Sequence, residues 1–267
     1  MNTIRPDAVA RPLALALMTL VAAAGPAGAL AACSARSGPE TAALVELYTS
    51  EGCSSCPPAD AELRRIRAVV GPAAAVVPLA LHVDYWDYIG WKDPFSQPAF
   101  GKRQRWLVQV NHEDVVYTPH FFVGGVEVGA WQRALPVEVR GRNARPARAD
   151  IVVKASIPAN GKLVVEADAA ARGGQAATAA LYLAITESGL ETKVARGENA
   201  GATLAHDHVV REWIGPLPLA EGSVHVRREV ALPASWNRAK LDVVGFVENE
   251  TTGDVLQAVS AGGCATP

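Results

Sequence analysis

Several things are missing from this chain, and most of these absences remove a class of function. It has no excess of positive charge. At a formal net charge of −2 it carries no electrostatic footprint for nucleic acid or an anionic membrane. Beyond its N-terminus it has no run of the roughly 18 uninterrupted apolar residues that a spanning helix requires, so no transmembrane segment is expected. It also has no second CxxC and no spaced histidine pair of the kind that builds a zinc site. Internal repeats are lacking too. What it has in quantity is apolar material, 49% of residues against 19% charged, enough to pack one large domain or two ordinary ones.

The N-terminus reads as an address. Arg5 and Arg11 precede an apolar run from Leu13 to Ala24, and the small residues Gly25, Pro26, Ala27, Gly28 and Ala29 follow. That is the layout of a secretory signal over residues 1–32, so the chain is expected to be exported, to the periplasm or beyond. Cleavage has two outcomes. Leu30-Ala31-Ala32-Cys33 resembles a bacterial lipobox and would put a lipid anchor on Cys33. Ordinary cleavage after Ala29 or Ala31 leaves Cys33 as a thiol. The four cysteines then sort into Cys53/Cys56 and Cys33/Cys264, and an oxidising compartment favours a structural Cys33–Cys264 disulfide. Lipidation would leave Cys264 unpaired, which tips the balance toward the disulfide.

The mature chain changes character near residues 140–150. Up to there, strand-like and helix-like stretches alternate. Leu44–Tyr48 reads as a strand, Pro57–Val70 as a helix, and Ala74–Val83 as a strand buried on both faces. Pro98–Val110 reads as a helix. Phe121–Val123 and Val126–Val128 flank Gly124-Gly125 as a hairpin, and a last helix starts near Trp131, with Pro136 limiting it. Arg140 to Arg148 is basic and contains Gly and Pro, the signature of a solvated linker. Beyond it, short strand-like pieces dominate (Ile151–Ile157, Lys162–Ala167, Ala180–Thr186, Val224–Leu232, Leu241–Glu248), which suggests a β-sandwich. The expected architecture is an α/β domain over about residues 40–140 followed by an all-β sandwich-like domain over about 150–264.

Chemistry concentrates at Cys53-Ser54-Ser55-Cys56, directly after one expected strand and before a helix. Sulfurs three residues apart there can close a small disulfide ring, and the first lies where helix N–H groups favour a thiolate, the nucleophile of exchange. Pro57 and Pro58 fit the first helical turn, where missing N–H groups cost little. Glu46 on the preceding strand is expected beneath the sulfurs as a proton acceptor. Thr118-Pro119, just before a strand, suits a cis bond facing the thiols, with His120 following and His82 ending the buried strand.

The element order, the CxxC and this Pro resemble the thioredoxin fold. More narrowly, Val45 to Asp60, His82 to Phe95, Tyr117-Thr118-Pro119, Gly197 to Gly201 and Val209 to Arg211 are similar to the DUF1223 family of secreted bacterial proteins. The resemblance implies a thioredoxin-like first domain, with Cys53 as the attacking thiol, Cys56 as the resolving one and Pro119 opposite them. Gly52 stands where many thioredoxins carry an aromatic.

The favoured reading is therefore thiol–disulfide exchange on a protein or small-thiol partner in the cell envelope. Cys53, Cys56, Glu46 and Pro119 would be catalytic, and Thr118, His120 and Trp86 would contact substrate. No cofactor is expected. A metal-binding or metal-delivery protein using Cys53, Cys56 and His120, with His82 as a fourth donor, is the second reading. A non-catalytic interaction module stapled by its CxxC is the third. Trp86 and Trp91, in the aromatic-acidic run Asp84–Trp91, either anchor a partner or else cap the core or dock the two expected domains. His206-Asp207-His208 is expected to place both imidazoles on one strand face.

Overall fold

The computed structural model describes residues 1–3, 32–174 and 176–262. Most of the secretory segment and Cys264 lie outside these residues, and the expected Cys33–Cys264 pairing with them.

The elements in chain order begin with β1 (Ala32–Arg36), β2 (Ala43–Thr49), α1 (Pro57–Arg64), α2 (Ile66–Val70), β3 (Val76–His82), α3 (Pro98–Val110), β4 (His120–Val123), β5 (Val126–Val128) and α4 (Trp131–Asn143). They continue with β6 (Ala149–Ser156), β7 (Leu163–Ala171), β8 (Ala179–Glu187), β9 (Leu190–Lys193), β10 (Thr203–His206), β11 (Val209–Pro218), β12 (Ser223–Val230), β13 (Leu241–Asn249) and β14 (Val255–Ser260).

The expected division into a thioredoxin-like α/β domain and a separate all-β sandwich is overturned. Strand accounts for 41% of the residues and helix for 22%. One eight-stranded mixed sheet, in the order β14-β13-β8-β11-β3-β2-β4-β5, takes four strands from each half of the chain. The junction is β11, which pairs antiparallel with β8 along its length and parallel with β3 where Val209 meets Ala80. A backbone bond from Ala80 N to His208 O (2.8 Å) closes it.

Side-chain alternation then distributes the core. In β2, Leu44 and Tyr48 pack beneath α3 with Leu79, Leu81, Phe100, Leu107 and Phe122. Ala43, Val45 and Leu47 point the other way, onto Leu63, Ile66, Leu135 and Val139 of α1, α2 and α4. The same alternation governs β8, which is buried at every position. Its Tyr182 joins the α3 side, while Leu181, Leu183 and Ile185 meet a four-stranded sheet, β1-β6-β7-β12, through Ile151, Val153 and Val165. Each such side chain contributes about 1.5–3 kcal/mol on burial. One face of the large sheet thus carries α3 throughout. The other carries three helices on one half and the smaller sheet on the other half.

The basic stretch before β6 is no solvated linker. Pro136 does not stop α4, which continues to Asn143. Arg142, 5% exposed, donates to Asp254 Oδ1 (2.6 Å), and Arg148 pairs with the other oxygen of the same carboxylate. Asp254 sits between β13 and β14, so the stretch ties α4 to the far half. Gly125 is required at this seam: its φ is +86°, and a β-carbon there would fall 1.7 Å from Gly253 O.

β9 and β10 stand apart. They form a two-stranded hairpin hydrogen-bonded to neither main sheet, which leans on α1 beside the cysteine motif.

Candidate functional site

The CxxC is built by a chain leaving β2 and entering α1 in tight turns. Cys53 N donates to Ser50 O (3.1 Å), Cys56 N to Cys53 O (3.2 Å), and Ala59 N and Asp60 N both reach Cys56 O. Cys56 is the helix N-cap, followed by Pro57 and Pro58 in the first turn. These prolines remove two of the N–H groups that a helix start leaves unpaired. Cys53 and Cys56 are joined in a disulfide, with α-carbons 5.4 Å apart. The Ser55 hydroxyl lies 3.3 Å from Cys53 Sγ, close enough to donate to that sulfur. Both cysteines are buried, Cys53 at 1% and Cys56 at 0% exposure.

Three segments wall the motif. The first is the turn carrying Trp86 and Ile89. A β-carbon on Gly52 would fall 3.0 Å from Trp86 Cβ, which explains why glycine stands before Cys53. The second is Thr118-Pro119, whose bond is cis. Ser55 Oγ approaches Thr118 O at 3.5 Å, and the Trp86 indole donates to Thr118 Oγ1 (2.8 Å). Trp86 therefore braces the wall. The third is the β9–β10 tip: Glu198 Oε2 accepts from Ser54 N (3.0 Å), and Asn199 Nδ2 donates to Glu51 O (2.8 Å) and Cys53 O (3.0 Å).

Behind the disulfide, on the α1 face of the sheet, lies a cluster of titratable groups. His82 Nδ1 bonds Asp93 Oδ2 (2.7 Å), and Asp93 also accepts from Glu51 N and Phe95 N (2.8 Å each). Glu51 accepts from Trp91 Nε1 (2.8 Å) and meets His206 Nε2 (3.1 Å). The His82 and His206 rings stand edge to face, 5.0 Å between centroids. His82 Nε2 and His206 Nδ1 are buried without partners. Asp60, one helical turn past Cys56, joins the cluster. Burial pushes its carboxyl up, against the pull of His82 and His206. Burial pulls His82 down, but Asp93, Asp60 and Glu51 outweigh it and hold the imidazole above its usual range. A cavity of about 210 Å³, lined by Pro57, Asp60, Arg64 and His206 among others, opens beside the cluster.

Two expected site residues lie elsewhere. Glu46 is an even-numbered residue of β2 and so points away from α1. It binds Arg103 of α3 through both oxygens (2.7 and 3.1 Å), which is incompatible with a proton acceptor under the sulfurs. His120, paired across the ladder with Tyr48, also belongs to the α3 face. It stacks on Tyr117 (4.0 Å), contacts Gln104 (3.2 Å), and has Nε2 3.2 Å from Glu127, off the line of a hydrogen bond. The metal set of Cys53, Cys56 and His120 is therefore not assembled, and among the described residues no three His, Cys, Asp or Glu are arranged to hold an ion. The His206-Asp207-His208 strand face also fails. β10 ends at His206, and His208 has φ +59° in the bend before β11.

Sequence reasoning passed over Asp60, Glu51, Asp93, Glu198 and Asn199 as site residues. Asp60 was open to discovery, because i,i+4 spacing places it on the turn below Cys56. Glu51 stands two residues before Cys53 and was open in the same way, whereas Asp93, Glu198 and Asn199 reach the motif only through tertiary contacts.

The sequence profile described as "Protein of unknown function (DUF1223)" matches residues 44–248. Among solved structures, the X-ray structure of protein AGR_C_4864 from Agrobacterium tumefaciens is 26% identical, with a TM-score of 0.60 over 86% of this chain and 98% of that one. HBP35 of Porphyromonas gingivalis is 16% identical, with a TM-score of 0.65 over 84% of this chain and 76% of its own. None of the curated proteins matches. No helix among the described residues is long and apolar enough to cross a membrane.

Proposed function

The chain belongs to the DUF1223 family, and from that premise we propose that it is an exported thiol–disulfide exchange protein acting through Cys53 and Cys56 on disulfides of the cell envelope. The observation that carries this reading is the Cys53–Cys56 disulfide at the strand-to-helix junction, with a hydroxyl 3.3 Å from its first sulfur. As a staple such a bond has little value: on the chain-entropy relation a loop this short gives roughly 2 kcal/mol, against about 4.7 for a 100-residue loop. As a reactive pair it is well furnished. Donation from Ser55 favours a thiolate on Cys53 once the bond is reduced. The export reading comes from the segment 1–32.

In the reduced protein, the Cys53 thiolate attacks one sulfur of a substrate disulfide. A Cys53–substrate bond forms, and the other substrate sulfur leaves as a thiolate that takes up a proton. Cys56 then loses its proton, attacks Cys53 Sγ and releases the second substrate sulfur, which takes up the second proton. Substrate gains two electrons and two protons, and the protein returns to the disulfide. Asp60 takes the proton-handling role first given to Glu46, since it shares the α1 face with Cys56 and burial raises its affinity for a proton.

The test is a redox titration of the pair in the mature Cys33→Ser/Cys264→Ser variant, read by thiol alkylation. A reversible midpoint between roughly −120 and −270 mV is expected. A pair still oxidised well below about −300 mV would eliminate exchange. It would leave the third reading, an interaction module with a structural bridge, which the 1% exposure of Cys53 favours.

A further inference from the structure

Cys53 is the sulfur a partner must reach, yet almost none of it meets solvent. What covers it on one side is the tip of a hairpin that is buried at Val194 and His206 but carries Glu198 and Ala200 exposed. β9 and β10 form a hairpin outside both sheets, closed near its tip by Gly201 N to Val194 O and Val194 N to Ala202 O (2.9 Å each). The tip, Gly197 to Gly201, lies over the motif. Glu198 and Asn199 make the three hydrogen bonds to Ser54 N–H and to the carbonyls of Glu51 and Cys53. Gly197 rests against Trp91 and Ile89 of the opposing wall, 3.3 and 3.4 Å from where its β-carbon would stand. At the hairpin's root, Arg64 of α1 pairs with Asp207 (3.3 Å) and bonds Ala205 O.

We propose that the β9–β10 hairpin is a flap that gates the Cys53–Cys56 disulfide and makes it selective for polypeptide over small thiols. This rests on the reading of that disulfide as reactive. Three of the groups the tip engages on the motif are main-chain groups, and the Ser54 hydroxyl is a fourth. An incoming extended polypeptide has donors and acceptors of its own to satisfy them when the tip is displaced. A small thiol has none placed to do so, and would leave Ser54 N–H and two carbonyls without protein partners. Charge acts in the same direction. Glu198 is exposed, and its bonds from Ser54 hold its carboxyl below the usual range, so a small thiolate approaching Cys53 meets a fixed negative group. The flap lies outside both main ladders, so displacing it breaks no pairing in either sheet.

The experiment compares reduction of the oxidised full-length mature protein by dithiothreitol in wild type, Glu198→Ala/Asn199→Ala and Arg64→Ala. Cys53 and Cys56 are followed by quenched alkylation and peptide mass, with the midpoint potential measured separately. Loss of the tip's bonds should speed reduction about tenfold, the equivalent of a 1.4 kcal/mol change. Arg64→Ala, which touches only the root, should speed it by a smaller factor, with midpoints unchanged in both. Rates within twofold of wild type in both variants would overturn the gate. If the double variant melts early, Arg64→Ala decides alone. The two readings fail separately: a midpoint in the range of structural bridges removes exchange, whereas equal rates at an unchanged midpoint remove only the flap.

Discussion

Charged side chains are buried on both faces of the eight-stranded sheet, and the two groups differ in how completely they are closed. On the α3 face, Arg103 makes four hydrogen bonds of 2.7–3.1 Å to Glu46 and Glu248. Its guanidinium lies within 5.1–5.5 Å of the rings of Trp106, Tyr182, Trp213 and Phe246. Glu46 comes from β2 and Glu248 from β13, so one cation clamps the two halves of the chain. On the α1 face, Glu51, Asp60, His82, Asp93 and His206 leave two imidazole nitrogens without partners beside a cavity. A buried polar atom left unpaired costs about 1–3 kcal/mol. The first group is finished as a structural joint. The second carries a standing cost next to a disulfide, the pattern expected where titration serves chemistry.

The comparison breaks most directly at Arg103. Arg103→Leu strands two buried carboxylates and should cost about 3–5 kcal/mol of stability in urea denaturation at neutral pH. His82→Leu leaves Asp93 its two backbone donors and removes an orphaned nitrogen, so its cost should stay below about 2 kcal/mol. Equal losses would mean that both groups are structural.

A pH series sharpens the contrast. Two carboxylates share one guanidinium, and burial pushes Glu248 up to about 7 despite Arg103. Its folded value lies above its unfolded one, so the folded state binds the extra proton between them. The contribution to stability is full below about pH 4.5 and is lost as pH rises through 7, amounting to about 3 kcal/mol. His82, also raised, acts in the same direction above its unfolded value. Asp93 and Asp254, held low by their partners, lose their contributions in acid. Stability should therefore peak on the acid side of neutrality, and Glu248→Gln should flatten the decline from pH 5 to 8 in thermal melts. An undiminished decline in that variant would remove Glu248 as its source.

Smaller effects probe the motif itself. Gly52→Ala forces a methyl against Trp86 and should cost about 1–3 kcal/mol, seen as a lower melting temperature. Ser55→Ala removes the donor at Cys53 Sγ and should raise the thiol pKa of the reduced protein by about half to one unit. The pH profile of iodoacetamide alkylation measures this, and an unshifted profile would show that the hydroxyl does not serve the sulfur.

Much of the N-terminal half was legible in the sequence because its signals are local. Leu44–Tyr48 and Ala74–Val83, each apolar but for one polar residue (Glu46 and His82), became β2 and β3, and Gly124-Gly125 marks the turn between β4 and β5. The family likeness was also readable from residues, and the match over 44–248 supports it. The joining of the halves was not readable. β11 contains Gly215-Pro216 and two register shifts against β8, which blur its strand pattern, yet it is the strand that makes one sheet of two. The site divides along the same line. Cys53, Cys56 and Thr118-Pro119 announce themselves by spacing. Which face of β2 holds Glu46, and which loop from residue 194 onward covers Cys53, depends on packing between segments far apart in the chain.

The β3–β11 seam has a consequence for how the protein comes into being. Until Val209 arrives to pair with Ala80, the outer edge of β3 is open while its other neighbour, β2, has already been synthesised. Chain made from the N-terminus must keep that edge from pairing with another molecule while every residue between Ala80 and Val209 is added. Yield on refolding should therefore fall steeply with protein concentration, and a chain truncated before β11 should self-associate through β3.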